Sequence, residues 1–331
     1  MSLQLDEFKC VLCSSTSRPV LAYDSVKGDQ NNKLKVVRCT TCGHHQLFPP
    51  DYSIEHYKED GQVNFVVHDY GTPIEKIVEH SWIEAARRVK RFAERGISLE
   101  RRASFKPLRV LDIGGGYGFF ASELKRQFPA IDVQVMEPSA KRAELGREYL
   151  MAQGQEHPLP EFVVEPLGEE FAAQHRGSYD IVTMWHVLEH VSNPVTFLEW
   201  ATELIAPIDG VVCVEVPNVN DELMQLSPAF RARNYMIEHI SYFSRHTLEI
   251  MANKVSPDSK VSIRGYQRYG IFNYFHWIHF NKPQGANPDL FEGEDRWWLE
   301  ATWRAAREEA MTSDALFMSL QNRHPQFIEA D

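Results

Sequence analysis

The stretch Val-Leu-Asp-Ile-Gly-Gly-Gly-Tyr-Gly at residues 110–118 decides the fold class of this chain. Its apolar start leads directly into a glycine-rich loop, and Asp112 stands just before the first glycine. Glycine is used where the backbone turns sharply or approaches a ligand closely, because it has no Cβ and tolerates positive φ. The stretch therefore predicts a buried strand followed by a ligand-binding loop. The loop glycines are Gly114, Gly115, Gly116 and Gly118.

The glycine spacing argues against a nicotinamide cofactor. A dinucleotide-binding fingerprint would place its third glycine at position 119, three residues after the second. That position is Phe119, and the segment from there to Phe128 has the apolar periodicity of a helix.

A second strand is predicted at Val133–Met136, where apolar residues alternate before the pair Glu137-Pro138. Glu137 lies 23 residues (137 − 114) after Gly114. In a doubly wound sheet the ends of the first two strands are adjacent, and a carboxylate there accepts hydrogen bonds from ribose hydroxyls. The alternative for Glu137 is a solvated strand end.

A third strand is predicted at 162–165 and further strands at 179–185 and 211–218, and the nearly continuous apolar runs of the last two suit a parallel sheet that is covered on both faces. Residues 260–269 predict a sixth strand, 297–311 an amphipathic helix and 315–318 a seventh strand. The expected fold is α/β, with a doubly wound, mostly parallel, seven-stranded Rossmann-like sheet.

These motifs, in this order, resemble those of the class I S-adenosylmethionine (SAM)-dependent methyltransferases. The resemblance implies that SAM binds at the glycine loop. It also places Trp185 either against the cofactor or in the core, and Tyr70 near the SAM carboxylate. The cofactor-binding residues predicted in this way are Asp112, Gly114, Gly115, Gly116, Gly118, Glu137, Pro138, Trp185 and Tyr70.

Length and composition limit the possibilities. A chain of 331 residues has room for about two domains. The formal net charge of −11 argues against a broad phosphate-binding surface, so no nucleic-acid partner is expected. There is no apolar run long enough to span a membrane and no signal-like start, which predicts a cytoplasmic protein.

Four of the five cysteines form two pairs, Cys10-x-x-Cys13 and Cys39-x-x-Cys42. Two such pairs supply the four thiolates of a closed tetrahedral site, which predicts structural Zn²⁺. A redox-active pair and idle thiols are the alternatives. The remaining Cys213 falls inside an apolar strand and is expected to be a buried small side chain.

The N-terminal zinc-binding motif, followed by the methyltransferase motifs, resembles the arrangement in the nucleotide-sugar C-methyltransferases. The shared segments are Arg38–Leu47 and Glu238–Ser244. The resemblance implies that His239 is the base that forms an enolate, which then attacks the SAM methyl group. The family pattern Tyr-His-Glu-His reads Met236-Ile237-Glu238-His239 here, and this departure favours oxygen methylation as an alternative.

The predicted catalytic residues are His239, Glu238, His186 and Tyr242. Histidine titrates near neutrality, so His239 is the first candidate for the base and His186 the second. A structural role for His239 beside Tyr242 is the alternative. His186 and His190 are four apart on a predicted helix, but no third metal ligand is indicated, so no metal is assigned to them.

The sequence thus predicts a zinc ribbon at 1–60, a helical connector at 61–105, a SAM-binding core at 106–255, and the last strands with a helical insertion at 256–331. The expected function is methyl transfer by in-line displacement, with a histidine base, to a small molecule such as a nucleotide sugar or glycan precursor. The alternatives are an O-methyltransferase of another small metabolite and a zinc-ribbon interaction protein with a degenerate core. Homo-oligomerisation is left open.

Overall fold

The structure is a computed structural model that describes residues 8–49, 74–94, 107–154, 158–284 and 297–322. The strands within these ranges are β1 (Val20–Tyr23), β2 (Lys35–Arg38), β3 (His45–Phe48), β4 (Leu108–Ile113), β5 (Ile131–Met136), β6 (Glu161–Val163), β7 (Ile181–Trp185), β8 (Val211–Pro217), β9 (Ser241–Tyr242), β10 (Lys260–Tyr266) and β11 (Ala315–Gln321). The helices are α1 (Ile74–Glu94), α2 (Phe119–Gln127), α3 (Ala140–Ala152), α4 (Glu169–Gln174), α5 (Pro194–Leu204), α6 (Glu222–Leu226), α7 (Pro228–Asn234), α8 (Arg245–Val255), α9 (Ile271–Phe280) and α10 (Trp297–Ala310). A short 3₁₀-helix spans Leu188–His190.

The strands form two sheets. The smaller has the order β1-β2-β3-β9 and the larger the order β10-β11-β8-β7-β4-β5-β6. In the larger sheet β4 is parallel to β5 and to β7, and β5 is parallel to β6. All five residues of β7 are buried, as expected for a strand covered on both faces. The predicted α/β class with a mostly parallel, seven-stranded sheet is confirmed.

The chain divides into two compact units. The first comprises Met1–Tyr52, His186–Leu198 and Val214–Leu320. The second comprises Ser53–Trp185, Glu199–Cys213 and Gln321–Asp331. Each is described below by itself. The domain boundaries expected from the sequence stay a prediction.

In the second unit, helix α1 packs on helix α2. The indole of Trp82 meets the ring of Phe119 edge to face, with the centroids 4.8 Å apart. Phe119 forms a buried cluster with Ala85 and Leu150, and Trp82 packs against this cluster. Cys213 is buried in β8, as the sequence predicted.

In the first unit, the hairpin β2–β3 continues into β9 through antiparallel pairing. Its core includes Val36, Leu47 and Tyr242. The predicted helix at 297–311 and the seventh strand are present as α10 and β11, whereas the sixth strand ends at Tyr266, three residues earlier than predicted. No helix among the described residues is both long enough and apolar enough to cross a membrane.

Candidate active site

The glycine loop follows β4 in the second unit and adopts a backbone that few other residues could follow. Gly114, Gly116 and Gly118 all have positive φ, between 57° and 78°. Gly115 is constrained by space instead, because a Cβ there would lie 2.5 Å from Oδ2 of Asp112. Both requirements explain the run of glycines.

Asp112 is almost completely buried, with 1% of its surface exposed. Its Oδ1 accepts a hydrogen bond of 2.6 Å from the Thr183 hydroxyl, whereas its Oδ2 has no hydrogen-bond partner among the described residues. Burial raises the pKa of Asp112 to about 7, the Thr183 hydrogen bond and Arg88 oppose this, and Glu137 adds to it. A buried acceptor without a partner is rare in native proteins, so this oxygen points to a ligand.

Glu137 joins the end of β5 to the glycine loop. One carboxylate oxygen accepts from the backbone N–H of Gly116 at 3.1 Å, and the other from that of Ser139 at 2.9 Å. Arg142 lies 3.7 Å away, and its charge partly offsets the burial that raises the pKa of Glu137. The carboxylate is buried, which excludes the alternative of a solvated strand end. Pro138 is half-buried.

These groups border a cavity of about 240 Å³ within the second unit. The lining residues are His80, Ser81, Glu84, Ala85, Arg88, Asp112, Gly114, Gly115, Gly116, Tyr117, Phe119, Phe120 and Trp185. Five of them belong to α1, and sequence reasoning assigned none of these to the site. Their only signal in the sequence is helical periodicity, which does not show where a helix packs.

Trp185 forms part of the cavity wall at the end of β7. Its ring meets that of Phe120 edge to face at 4.9 Å, and the guanidinium carbons of Arg88 and Arg91 lie 5.5 Å and 5.8 Å from its centroid. Trp185 is thus a buried residue that borders the cavity, and its contact with the cofactor stays a prediction.

In the first unit, His186 lies in a charged cluster. Its Nδ1 is 3.0 Å from Oε1 of Glu189, and its Nε2 is 3.0 Å from Oε1 of Glu215 and 2.6 Å from a guanidinium nitrogen of Arg268. Both ring nitrogens are thus engaged.

The prediction that His186 and His190 share a helix is wrong. His186 has a φ of 56°, which interrupts the backbone, and the 3₁₀-helix begins only at Leu188. His190 therefore does not share a helix with His186. Its Nδ1 lies 2.8 Å from the backbone carbonyl oxygen of Glu238.

His239 lies beside His190, with the ring centroids 4.8 Å apart, and 5.9 Å from the ring of Tyr242. Burial, followed by the charges of His190 and Arg268, holds the pKa of His239 well below its usual range. Glu238 is buried, and its side chain stays a predicted catalytic group.

Tyr242 uses its hydroxyl within the fold. The hydroxyl accepts from the Met236 backbone N–H at 3.2 Å and donates to the Met236 carbonyl oxygen at 3.1 Å. Burial raises the pKa of Tyr242 well above its usual value. These contacts favour a structural role for the residue. Tyr70, the remaining predicted cofactor contact, lies outside the described residues.

The four paired cysteines converge in the first unit, with their Sγ atoms all within 4.8 Å of one another. Sγ of Cys10 lies 3.6 Å from that of Cys42, and Sγ of Cys13 lies 3.7 Å from that of Cys39. Four thiolates placed 2.3 Å from a central ion would be about 3.8 Å apart. The cluster therefore has the dimensions of a tetrahedral zinc site.

Known proteins that are similar in sequence to this chain include methyltransferases. A sequence profile described as a methyltransferase domain matches residues 79–255. A ubiquinone biosynthesis O-methyltransferase of Aromatoleum aromaticum is 33% identical over 109 residues, which are 33% of this chain and 44% of that protein. The protein of the same name from Cronobacter sakazakii is 30% identical over 112 residues, 34% of this chain and 44% of that one. The match thus spans less than half the length of these curated relatives.

Solved structures of similar fold include a SAM-dependent methyltransferase of Thermotoga maritima, described as a possible histamine N-methyltransferase. It is 15% identical with a TM-score of 0.44, over 81% of this chain and 97% of that one. Phosphoethanolamine N-methyltransferase 2 of Haemonchus contortus, in complex with SAM, is 14% identical with a TM-score of 0.43, over 66% of this chain and 49% of that one. Because the methyltransferase-domain profile covers more than half of the 331 residues, the chain belongs to this methyltransferase-domain family.

Proposed function

We propose that the protein is a SAM-dependent methyltransferase that acts on a small molecule. The observation that carries this proposal is the buried Oδ2 of Asp112, which lacks a partner and borders the same cavity as the glycine loop. Family membership supports the same conclusion. The buried carboxylate weighs against the alternative of a zinc-ribbon interaction protein, because a core that no longer bound SAM would not require a buried carboxylate in this position.

The chain's residues fit this donor group by group. Asp112 offers a carboxylate oxygen to a cationic or hydrogen-bond-donating part of the ligand, and ionised Asp112 suits a cation best. Glu137 has a second lone pair on each oxygen besides those used by Gly116 and Ser139, which suits ribose hydroxyls. The positive φ of Gly116 and the open space beside it let a ligand approach the backbone closely.

SAM supplies an electrophilic methyl group on a sulfonium. The task of the protein is to hold the reacting atoms in line, which is worth up to roughly 7–11 kcal/mol of the barrier. A histidine then takes the proton of the acceptor. The two candidates differ: His239 makes no side-chain hydrogen bond to a described residue, whereas His186 is held by Glu189, Glu215 and Arg268.

For the acceptor, a nucleotide sugar or glycan precursor remains our proposal, on the strength of the segments Arg38–Leu47 and Glu238–Ser244. Methylation of oxygen on another small metabolite is the second candidate. It is favoured by Met236-Ile237, which replace the family's Tyr-His, and by the O-methyltransferase names of the curated relatives.

We further propose that the four-cysteine cluster holds a structural Zn²⁺. Burial raises the pKa of Cys10 to about 11 and also raises that of Cys42. Such thiols ionise only beside a cation, and all four positions around the ion would be filled by sulfur. Free thiols and a thiolate metal site suit a reducing compartment, so we place the protein in the cytoplasm.

Calorimetric titration with SAM tests the proposed activity. Wild-type protein should bind SAM, and Asp112→Asn should weaken binding at least tenfold because it removes the negative charge. Asp132→Asn is the matched control, since Asp132 is exposed on the neighbouring strand β5. A folded wild-type protein that does not bind SAM would instead favour the alternative of a zinc-ribbon interaction protein with a degenerate core.

The acceptor requires a second experiment. Labelled methyl from SAM is offered to nucleotide sugars with and without a 4-keto group and to phenolic metabolites. Label on carbon of a keto sugar supports C-methylation, and label on a hydroxyl supports O-methylation. Binding of SAM without transfer to any of these compounds contradicts both acceptor proposals but not the cofactor.

A further inference from the structure

A second group of potential metal ligands lies in the first unit, apart from the cysteines. One ligand atom from each of Glu189, His190 and His239 lies within 4.8 Å of the others. The two chain segments are tied together at this point, because the backbone N–H of Ile240 donates to the carbonyl oxygen of Glu189 at 2.8 Å.

The tautomer of His190 is fixed by its surroundings. The atom 2.8 Å from its Nδ1 is the backbone carbonyl oxygen of Glu238, which can only accept. Nδ1 therefore carries the proton and Nε2 carries the lone pair. Metal-binding histidines are held in the same way, with the outer nitrogen donating to a carbonyl or carboxylate. The lone pair of Nε2 lies 3.8 Å from Oε1 of Glu189.

The side chain of Glu189 is also fixed by its surroundings. Its side chain is only 1% exposed, and Oε1 lies 3.0 Å from Nδ1 of His186. A carboxylate that binds a metal is commonly oriented by such an outer hydrogen bond.

His239 completes the set. Its ring packs edge to face against that of His190, and its nitrogens make no hydrogen bond to any residue in the described part of the chain. A ring nitrogen is therefore available as a ligand. Two imidazoles and one carboxylate form a set that suits divalent transition metals, with room left for a water or another oxygen donor.

We propose that Glu189, His190 and His239 bind a divalent transition-metal ion. Ligands about 2.1 Å from an ion in tetrahedral geometry are about 3.4 Å apart, so Nε2 of His190 and Oε1 of Glu189 approach by a few tenths of an ångström on binding. The site goes beyond the proposed methyl transfer and does not depend on SAM. With His239 bound to a metal, His186 becomes the candidate base.

Cobalt binding tests the proposal with a readout separate from activity. The cysteine cluster is first filled with one equivalent of Zn²⁺ per chain, and the protein is then titrated with Co²⁺ while visible absorption is recorded. We expect about one further ion per chain, with d–d bands and without thiolate charge-transfer bands. His239→Asn and Glu189→Gln should each weaken Co²⁺ binding at least tenfold. His246→Asn, at an exposed position in the same unit, should bind like the wild type.

Three outcomes would overturn the site: a folded, zinc-loaded wild type that binds no Co²⁺, thiolate bands that place the ion in the cysteine cluster alone, or unchanged binding in His239→Asn. Should Glu189→Gln fail to fold, the partly buried His239 still provides a test. SAM titration of the same sample separates loss of this site from failure of the proposed function.

Discussion

The hydroxyl of Thr183, at the centre of β7, lies 2.6 Å from Oδ1 of Asp112 in the adjacent strand β4. Because β4 and β7 are parallel and Asp112 is directly paired with Thr183, this contact follows from the strand register. It holds one oxygen of the carboxylate and leaves the other to the cavity. A single hydrogen bond thus orients the group on which the proposed donor site depends.

Replacing Thr183 by valine should weaken SAM binding roughly tenfold, because a hydrogen bond to a charged group is worth about 1.5–3 kcal/mol. The hydrogen bond also lowers the pKa of Asp112, so its loss reduces the ionised fraction near pH 7. Calorimetric titration measures the effect. Thr183→Ser keeps the hydroxyl and should bind SAM like the wild type; equal weakening by both variants would contradict the assigned role.

Stability should depend on pH through Asp112. Its pKa is about 7 in the folded, ligand-free protein against 3.8 in the unfolded chain, so the folded state prefers the protonated form. The resulting stabilisation is complete below about pH 4 and is lost as the pH rises through 7, on the order of 4 kcal/mol in total. Thr183, Arg88 and Glu137 are the neighbours that tune this value.

Urea unfolding of the wild type and Asp112→Asn between pH 4 and pH 8 measures this dependence. As the pH rises, the free energy of unfolding of the variant should increase relative to that of the wild type, because asparagine does not titrate and the variant does not lose this stabilisation. Asp132→Asn should follow the wild-type curve. A wild type and an Asp112→Asn variant whose curves stay parallel would place the pKa of Asp112 near its ordinary value.

Gly115→Ala should damage the site even though the backbone there does not need positive φ. The new Cβ would lie 2.5 Å from Oδ2 of Asp112 and 2.8 Å from a methyl carbon of Val135. Overpacking of this kind costs about 1–3 kcal/mol, and here it also displaces the carboxylate. We expect a lower unfolding midpoint and SAM binding reduced more than tenfold.

The matched control is Gly168→Ala, since a Cβ at Gly168 meets nothing within 4 Å and its φ is −154°. That variant should unfold and bind SAM like the wild type. If Gly115→Ala behaved in the same way, the close packing of the loop against Asp112 would be refuted.

The parts of the site that the sequence predicted are those in which neighbours in the chain are also neighbours in space. Asp112 and the loop glycines lie in one strand–loop segment, and Glu137 ends the next strand of a parallel pair. For such groups, strand periodicity and glycine spacing are sufficient, because the topology of a doubly wound sheet brings the strand ends together.

Other features depend on tertiary packing, which periodicity does not encode. Arg88 and its neighbours on α1 border the cavity because of how that helix packs on α2. The pairing of Glu189 with His239 joins segments far apart in the chain. The helix expected across His186 failed for a local reason: a left-handed φ at a histidine, which sequence patterns rarely reveal.

The first unit should depend on the cysteine cluster for its fold. Cys39 lies directly after β2, and its backbone N–H donates a hydrogen bond to the carbonyl oxygen of His44, just before β3. Its Sγ accepts a hydrogen bond from the backbone N–H of Thr41 at 3.4 Å. A metal at the four sulfurs would therefore fix the β2–β3 turn. Cys39→Ser should lower the zinc content from about one ion per chain to near zero and reduce the unfolding temperature of this unit.

Zinc is measured by mass spectrometry after a brief chelator wash that removes weakly held ions, and unfolding is followed by circular dichroism. Cys213→Ala removes the fifth cysteine, which is buried in β8 and is not one of the four clustered cysteines, and the variant should keep its zinc. Because the glycine loop belongs to the other unit, Cys39→Ser should lose zinc before it loses SAM binding. A Cys39→Ser variant with full zinc content, or a wild type without any, would leave the cluster as four reduced thiols.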